Sequence, residues 1–387
     1  TVGIVPVTQH PRRSPMSALM NRRQWLKTGT LAAVGVAVRP NASVLASVTP
    51  RPFDKPIRLH SNENPYGPCA SARQAMQAAL DEGCRYPGGS YGELREMIAR
   101  QEGLTPEHVV LGAGSHEVLR MIAMAYGLAG GEILTGYPTY ESMERYAVSI
   151  GAHVHRVPLD DDFLLDLDAM DRRTTQAVKL VYVCNPNNPT GTLLPSNAVQ
   201  AFCEEVSRRS VVFVDEAYHE LVEDPGYTSM VPLVRDGHNV IISRTFSKIF
   251  GLAGLRVGYG LARPDIAARL RKFRTGSGLN VLGVRAAVAS YRDEAFIAFS
   301  RRANAEGRAY ARQLVEQRGH RCLPSQTNFI FFHLGQNIRP FRAAMEQRGI
   351  LVGRPFPPFM DWCRLSIGTM DELKVFTAAF QAEMSQP

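Results

Sequence analysis

The stretch Val240-Ile241-Ile242-Ser243-Arg244-Thr245-Phe246-Ser247-Lys248-Ile249-Phe250-Gly251-Leu252-Ala253-Gly254-Leu255-Arg256 decides how the rest of the chain reads. It opens on an apolar run without polar alternation, the pattern of a strand buried on both faces. It closes on hydroxyls, a lysine, glycines and an arginine. The same sequence of events recurs upstream. Val211-Val212-Phe213-Val214 ends at Asp215, and Leu180-Val181-Tyr182-Val183 ends at Asn185-Pro186-Asn187-Asn188-Pro189. Polar groups thus follow three successive strands. Earlier, His108-Val109-Val110-Leu111 runs into Gly112-Ala113-Gly114-Ser115, then into a helical pattern with Val118, Met121, Ile122 and Ala125 on one face. Glu132-Ile133-Leu134 precedes Tyr137-Pro138-Thr139-Tyr140 and another helical stretch. Strands alternating with helices predict an α/β fold, a parallel or mixed sheet covered by helices. Ligands in such folds gather beyond the carboxyl ends of the strands.

Downstream, a long helical stretch around 299–318 is followed by short strands near Phe329-Ile330-Phe331-Phe332 and Arg364-Leu365-Ser366-Ile367. This part reads as a second, smaller α/β domain. The expected division is a leader over 1–46, an N-terminal arm over 47–80, a large domain over 81–285 and a small domain over 286–387.

Charge gives the leader. The chain has 387 residues, 45% hydrophobic and 21% charged, with a formal net charge of +8. The apolar share excludes wholesale disorder and a collagen-like fibre. A basic chain raises the question of nucleic acid or a membrane surface. However, nine basic residues and a single acid, Asp54, lie in 1–58, so that segment holds the entire excess. The remainder is neutral, and no nucleic-acid partner is expected. The chain begins with Thr, so Met16 or Met20 is the expected start. From either, Arg22-Arg23-Gln24-Trp25-Leu26-Lys27, the apolar run 31–38 and Val44-Leu45-Ala46 form the basic region, core and cleavage site of an export signal. The arginine pair resembles the twin-arginine type, which predicts a periplasmic protein touching the membrane only during export. The stretch also reads as an uncleaved anchor or a chance basic tail, but the run is well short of the ~20 residues of a spanning helix. Without export the protein is cytoplasmic. The six cysteines include no C-x-x-C pair, so a metal or thioredoxin-type site is not expected.

The strand exits carry a coherent chemistry. A lysine amine withdrawn from water, as at Lys248, can form a Schiff base with a carbonyl. A carboxylate such as Asp215 can pair with the ring nitrogen of pyridoxal phosphate and keep it protonated. Tyr218 and Asn188 could then hydrogen-bond the ring hydroxyl, and Tyr140 could stack on the ring. Gly112-Ala113-Gly114-Ser115 between strand and helix suits a phosphate. Thr245, Ser247 and Arg256 add hydroxyls and a cation. Each residue alone has a commoner fate as a cap, a surface ion pair or packed core.

Taken together, Asn185-Pro186-Asn187-Asn188-Pro189-Thr190-Gly191, Asp215-Glu216-Ala217-Tyr218 and the segment from Ser247-Lys248 to Gly258-Tyr259 resemble the fold-type I, class I/II aminotransferases that use pyridoxal phosphate. His60-Ser61-Asn62-Glu63-Asn64-Pro65-Tyr66-Gly67-Pro68, Arg85-Tyr86-Pro87 and Cys363-Arg364-Leu365-Ser366-Ile367-Gly368-Thr369 resemble the histidinol-phosphate aminotransferase branch. The resemblance spans about 56–375. It implies catalytic roles for Lys248, Asp215 and Tyr218. It implies cofactor contacts for Gly114, Ser115, Tyr140, Asn188, Thr245, Ser247 and Arg256. Tyr86 would reach the phosphate of a neighbouring subunit's cofactor, which implies a homodimer with shared sites. Arg364, with Arg354 as a second candidate, would bind the acidic end of substrates, and Tyr66 and Asn64 would line the entrance. The implied reaction moves an amino group between a donor and a 2-oxo acid by a ping-pong mechanism.

Three departures bear on the substrate. His116 stands where the family commonly has an acid. Phe273-Arg274-Thr275-Gly276-Ser277-Gly278-Leu279-Asn280 lacks the usual proline-aromatic sequence, and Gly353-Arg354-Pro355-Phe356-Pro357-Pro358 shifts the spacing near the substrate arginine. Histidine biosynthesis is cytoplasmic, which conflicts with an export signal. An exported aminotransferase for another amino acid, such as an aromatic one, is therefore an alternative. Others are a decarboxylase or lyase on the same scaffold and a non-catalytic protein that binds the cofactor.

Overall fold

Seven strands form the sheet that positions everything else. The computed structural model describes residues 55–276 and 278–384, so the leader expected over 1–46 lies outside the described residues. The first strand, β1 (Ile57–Leu59), is followed by helices α1 (Ala70–Ala78) and α2 (Ser90–Gln101). The main sheet comprises β2 (Val109–Gly112), β3 (Glu132–Tyr137), β4 (His153–Pro158), β5 (Val178–Cys184), β6 (Val211–Asp215), β7 (Val240–Thr245) and β8 (Gly258–Ala262). Their spatial order is β2-β8-β7-β6-β5-β3-β4. β8 runs antiparallel to both its neighbours and the other pairings are parallel, so the sheet is mixed.

The unbroken apolar runs are explained by what lies on the two faces. Val181, Val183, Val212, Val214 and Ile242 pack on one side, while Leu180, Tyr182, Phe213 and Ile241 pack on the other. Successive side chains alternate across a strand, so both faces must be apolar when both are covered. Helix α3 (Ser115–Gly127) covers one face with Val118, Met121, Ile122 and Ala125, the stripe read from the spacing. Each such side chain contributes roughly 1.5–3 kcal/mol on burial.

The C-terminal part has its own core. The helix Glu294–Glu316 leads to β9 (Phe329–His333), β10 (Ile350–Val352) and β11 (Trp362–Ser366). β9 and β11 pair antiparallel, and β10 pairs with β1, joining the N-terminal arm to this part of the chain. Phe332, Phe341, Phe376 and Phe380 lie at the centre of this core. Among the described residues no helix is long and apolar enough to cross a membrane.

Candidate active site

β5, β6 and β7 are neighbours, so their polar exits converge. Asp215 ends β6 and is 1% exposed. One carboxylate oxygen accepts from Ser243 Oγ at 2.7 Å and the other from Tyr182 Oη at 3.3 Å. Burial pushes its carboxyl up to about 6, against the pull of those donors. Its neighbour Glu216 is buried too and accepts from Arg244, which also pairs with Glu102. This ion network ties the end of β6 to β7, because a buried carboxylate and guanidinium are each costly without the other.

Tyr218 lies three residues beyond Asp215. Its hydroxyl accepts from Asn62 Nδ2 at 3.0 Å and Asn188 Nδ2 at 3.2 Å. Burial raises its phenol above the ordinary value, so it stays protonated and keeps a hydrogen to donate. Lys248 Nζ donates to the Asn62 carbonyl at 3.0 Å and stands 5.6 Å from the centre of the Tyr218 ring. Withdrawal from water, followed by the charge of Arg364, lowers the amine to about 7. A fraction of it is therefore neutral and nucleophilic near neutral pH.

Asn62 was not singled out in the sequence, yet it organises this side of the site. It adopts a left-handed conformation at φ 54°, which asparagine tolerates better than most residues. Its backbone N–H donates to Ser366 Oγ at 2.9 Å, and Ser366 Oγ donates back to Asn62 Oδ1 at 2.7 Å. The His60–Pro68 motif thus meets β11. Its signal was an asparagine inside the quoted motif, but the partner is 304 positions away.

A second cluster forms at the start of α3. Gly114 has φ 73°, and a Cβ there would collide with the Arg256 guanidinium. Arg256 is itself left-handed at φ 55°. Its Nη1 donates to the Ala253 carbonyl at 2.8 Å and to Ser247 Oγ at 3.3 Å. The Ser247 N–H donates to Thr245 Oγ1 at 3.1 Å. Glu117 accepts from the N–H groups of Ala113 at 2.6 Å and Thr275 at 2.7 Å, pinning the turn from below. A helix N-terminus, two hydroxyls and a guanidinium converge here, a donor set suited to a phosphate.

The substrate candidates separate. Arg364 is 8% exposed, and it donates to Asn188 Oδ1 and the His60 carbonyl at 2.7 Å each. Its Nε is buried without a partner. Burial lowers it to about 10, still cationic at neutral pH. Arg354 is exposed, pairs with Glu141 at 2.9 Å and lies over the Phe356 ring. Asn64 donates to the Ile249 carbonyl at 2.7 Å and to Ser300 Oγ at 3.1 Å, so it fixes the backbone beside the lysine. Tyr66 packs edge-on against Phe299, and both Asn64 and Tyr66 line a narrow cleft that reaches Lys248. Tyr140 meets His116, and Tyr86 is 86% exposed, apart from this chain's own cluster.

Comparison with known proteins agrees with this chemistry. Residues 54–380 match the family model described as aminotransferase class I and II. A histidinol-phosphate aminotransferase of Moorella thermoacetica is 40% identical over 328 residues, covering 84% of each chain. Histidinol-phosphate aminotransferase 2 of Ralstonia nicotianae is 37% identical over 335 residues, covering 85% of this chain and 89% of that one. The crystal structure of histidinol-phosphate aminotransferase from Sinorhizobium meliloti in complex with pyridoxal-5'-phosphate superposes with a TM-score of 0.79 at 28% identity, covering 85% and 90% of the two chains.

Proposed function

Because the chain belongs to the class I and II aminotransferases, we propose that Lys248, Asp215, Tyr218 and Arg364 transfer an amino group from a donor of the histidinol-phosphate type to a 2-oxo acid. It is a fold-type I enzyme and uses pyridoxal phosphate. When bound, that group supplies an electron sink for the bond broken at the substrate Cα. The residues fit it: Lys248, its amine lowered to about 7, lies close enough to the buried Asp215 carboxylate and to Arg256 of the phosphate-type donor set to feel both charges. The convergence of Lys248 and Asp215 at adjacent strand exits is the observation that carries the reading.

Each side chain then has a task. Lys248 would hold the cofactor through its amine, and at the substrate Cα the same amine would accept and return the proton. Asp215 would face the ring nitrogen, whose positive charge would keep its carboxylate ionised. Asn188 and Tyr218 would contact the ring hydroxyl, Tyr140 would cover the ring, and Gly114, Ser115, Thr245, Ser247 and Arg256 would hold the phosphate. Arg364 takes the acidic end of the substrate, where its free Nε adds a donor. Donor and oxo acid use the same site in turn, which gives ping-pong kinetics.

The exposure of Tyr86 supports a homodimer in which it completes the partner's phosphate site. In this reading 81–285 carries the cofactor and 286–387 the substrate arginine. The leader pattern supports twin-arginine export to the periplasm. Export favours a second reading, an aminotransferase for another amino acid such as an aromatic one. A screen of donors against the purified protein separates the two, followed through the visible absorbance of the lysine-bound cofactor. Fast loss of absorbance with histidinol phosphate supports the first reading. No response to it, with fast loss on an amino acid, rejects that donor and keeps the enzyme class.

A further inference from the structure

His116 is the second residue of α3 and stands between the two cofactor groups that sequence places far apart. Its Nε2 lies 2.6 Å from the Tyr140 hydroxyl, and its Nδ1 lies 3.3 Å from Arg256 Nη2. A guanidinium only donates, so Nδ1 must accept and the ring hydrogen must sit on Nε2. Nε2–H therefore donates to the Tyr140 oxygen, and the Tyr140 hydrogen is left to point away from the imidazole. The relay has one direction, from Arg256 through His116 to Tyr140.

We infer that His116 is a positioning residue, a neutral hydrogen-bond relay that fixes the Tyr140 ring and the Arg256 guanidinium relative to one another. This rests on the assignment of Tyr140 to the cofactor ring and Arg256 to its phosphate. The relay has a chemical consequence. A carboxylate at this position would accept from both neighbours and offset the charge of Arg256. Neutral imidazole orients both groups and leaves the full cationic charge for the anion. Three observations favour the neutral ring. It is largely withdrawn from water; Arg256, Lys248 and Arg145 all surround it with positive charge; and the first turn of a helix disfavours a cation. Its nearest acid in sequence, Glu117, is spent on the N–H groups of Ala113 and Thr275.

The test is a double-mutant cycle on cofactor affinity, with a spectroscopic check on the cofactor-free protein. His116→Leu should weaken pyridoxal phosphate binding about tenfold, one lost hydrogen bond beside a charged group. His116→Gln, whose amide can donate to Tyr140 and accept from Arg256, should recover most of it. In a Tyr140→Phe background, His116→Leu should cost less than threefold, because its acceptor is gone. Nitrogen-15 NMR of the cofactor-free wild type should show the neutral ring with hydrogen on Nε2. Wild-type affinity in His116→Leu, or equal losses in both backgrounds, would overturn the relay. So would a protonated ring or hydrogen on Nδ1, and the NMR result decides even if the leucine variant does not fold. If wild type itself shows no Lys248-dependent binding of the cofactor, the functional assignment fails instead.

Discussion

The floor of the site and its rim are built differently. On the floor, Asp215, Tyr218 and Lys248 sit at the ends of neighbouring buried strands, and each has its polar atoms engaged by other buried groups. At the rim, Arg354 is held by one exposed ion pair. Arg364 belongs to the floor although it comes from the C-terminal strand β11, for it is buried and bonded to Asn188. The lesson is that the two candidate substrate arginines are not equivalent. A buried guanidinium with an unused donor is committed to an anion, whereas an exposed one paired with Glu141 is already satisfied.

That contrast can be broken by substitution. Lys248→Ala should reduce turnover by upwards of ~10³-fold and remove the visible absorbance of bound cofactor, since no other amine among the described residues stands in the cluster. Steady-state rates and spectra of the purified variant check this. Arg364→Leu should lower kcat/KM for donors with an acidic end by about 100-fold, with little change in cofactor affinity. If it leaves acidic donors untouched, the floor does not hold the substrate anion.

The lysine offers a sharper probe through pH. With the amine lowered to about 7, capture of the aldehyde by cofactor-free protein should rise about tenfold from pH 6 to 8 and then level off. Neutral amine is the nucleophile, so acid slows the reaction. Stability carries the same sign. The folded amine binds its proton less tightly than the unfolded one at its ordinary 10.5, so the cost of holding Lys248 is fully present below about pH 7. It fades as pH rises toward 10.5, and Lys248→Met should flatten that part of the melting profile. A capture rate that is flat from pH 6 to 8 would place the amine elsewhere. The smallest effect belongs to the rim: Arg354→Ala should change kcat/KM less than ~5-fold, because exposed pairs contribute at most about 1 kcal/mol.

Much of the floor was legible because it is local. Each strand exit is a contiguous motif, and the apolar runs before Asn185, Asp215 and Lys248 became β5, β6 and β7. Two strands of the main sheet were not legible. β8 contains Gly258 and Gly260 and reads as a glycine-rich loop; a Cβ at Gly258 would strike the Ser115 backbone, so the glycines serve close packing against the phosphate turn. β4 is a largely exposed edge strand rich in polar residues, without a period-2 apolar signal. Long-range bonds were beyond reach for another reason. Asn62 with Ser366, Arg244 with Glu102 and His116 with Arg256 are joined only by the fold, so no local spacing announces them. The separation of Arg364 from Arg354 had the same cause, because burial decides it and both arginines look alike in sequence.

The central claim is that Lys248, among all the lysines, holds the cofactor through its amine. Borohydride reduction of the cofactor-loaded protein, followed by peptide mass spectrometry, tests this most directly. One pyridoxyl-phosphate adduct per chain is expected, on the peptide that contains Ser247-Lys248-Ile249. An adduct on another lysine, or none in protein that shows the bound-cofactor absorbance, would contradict it.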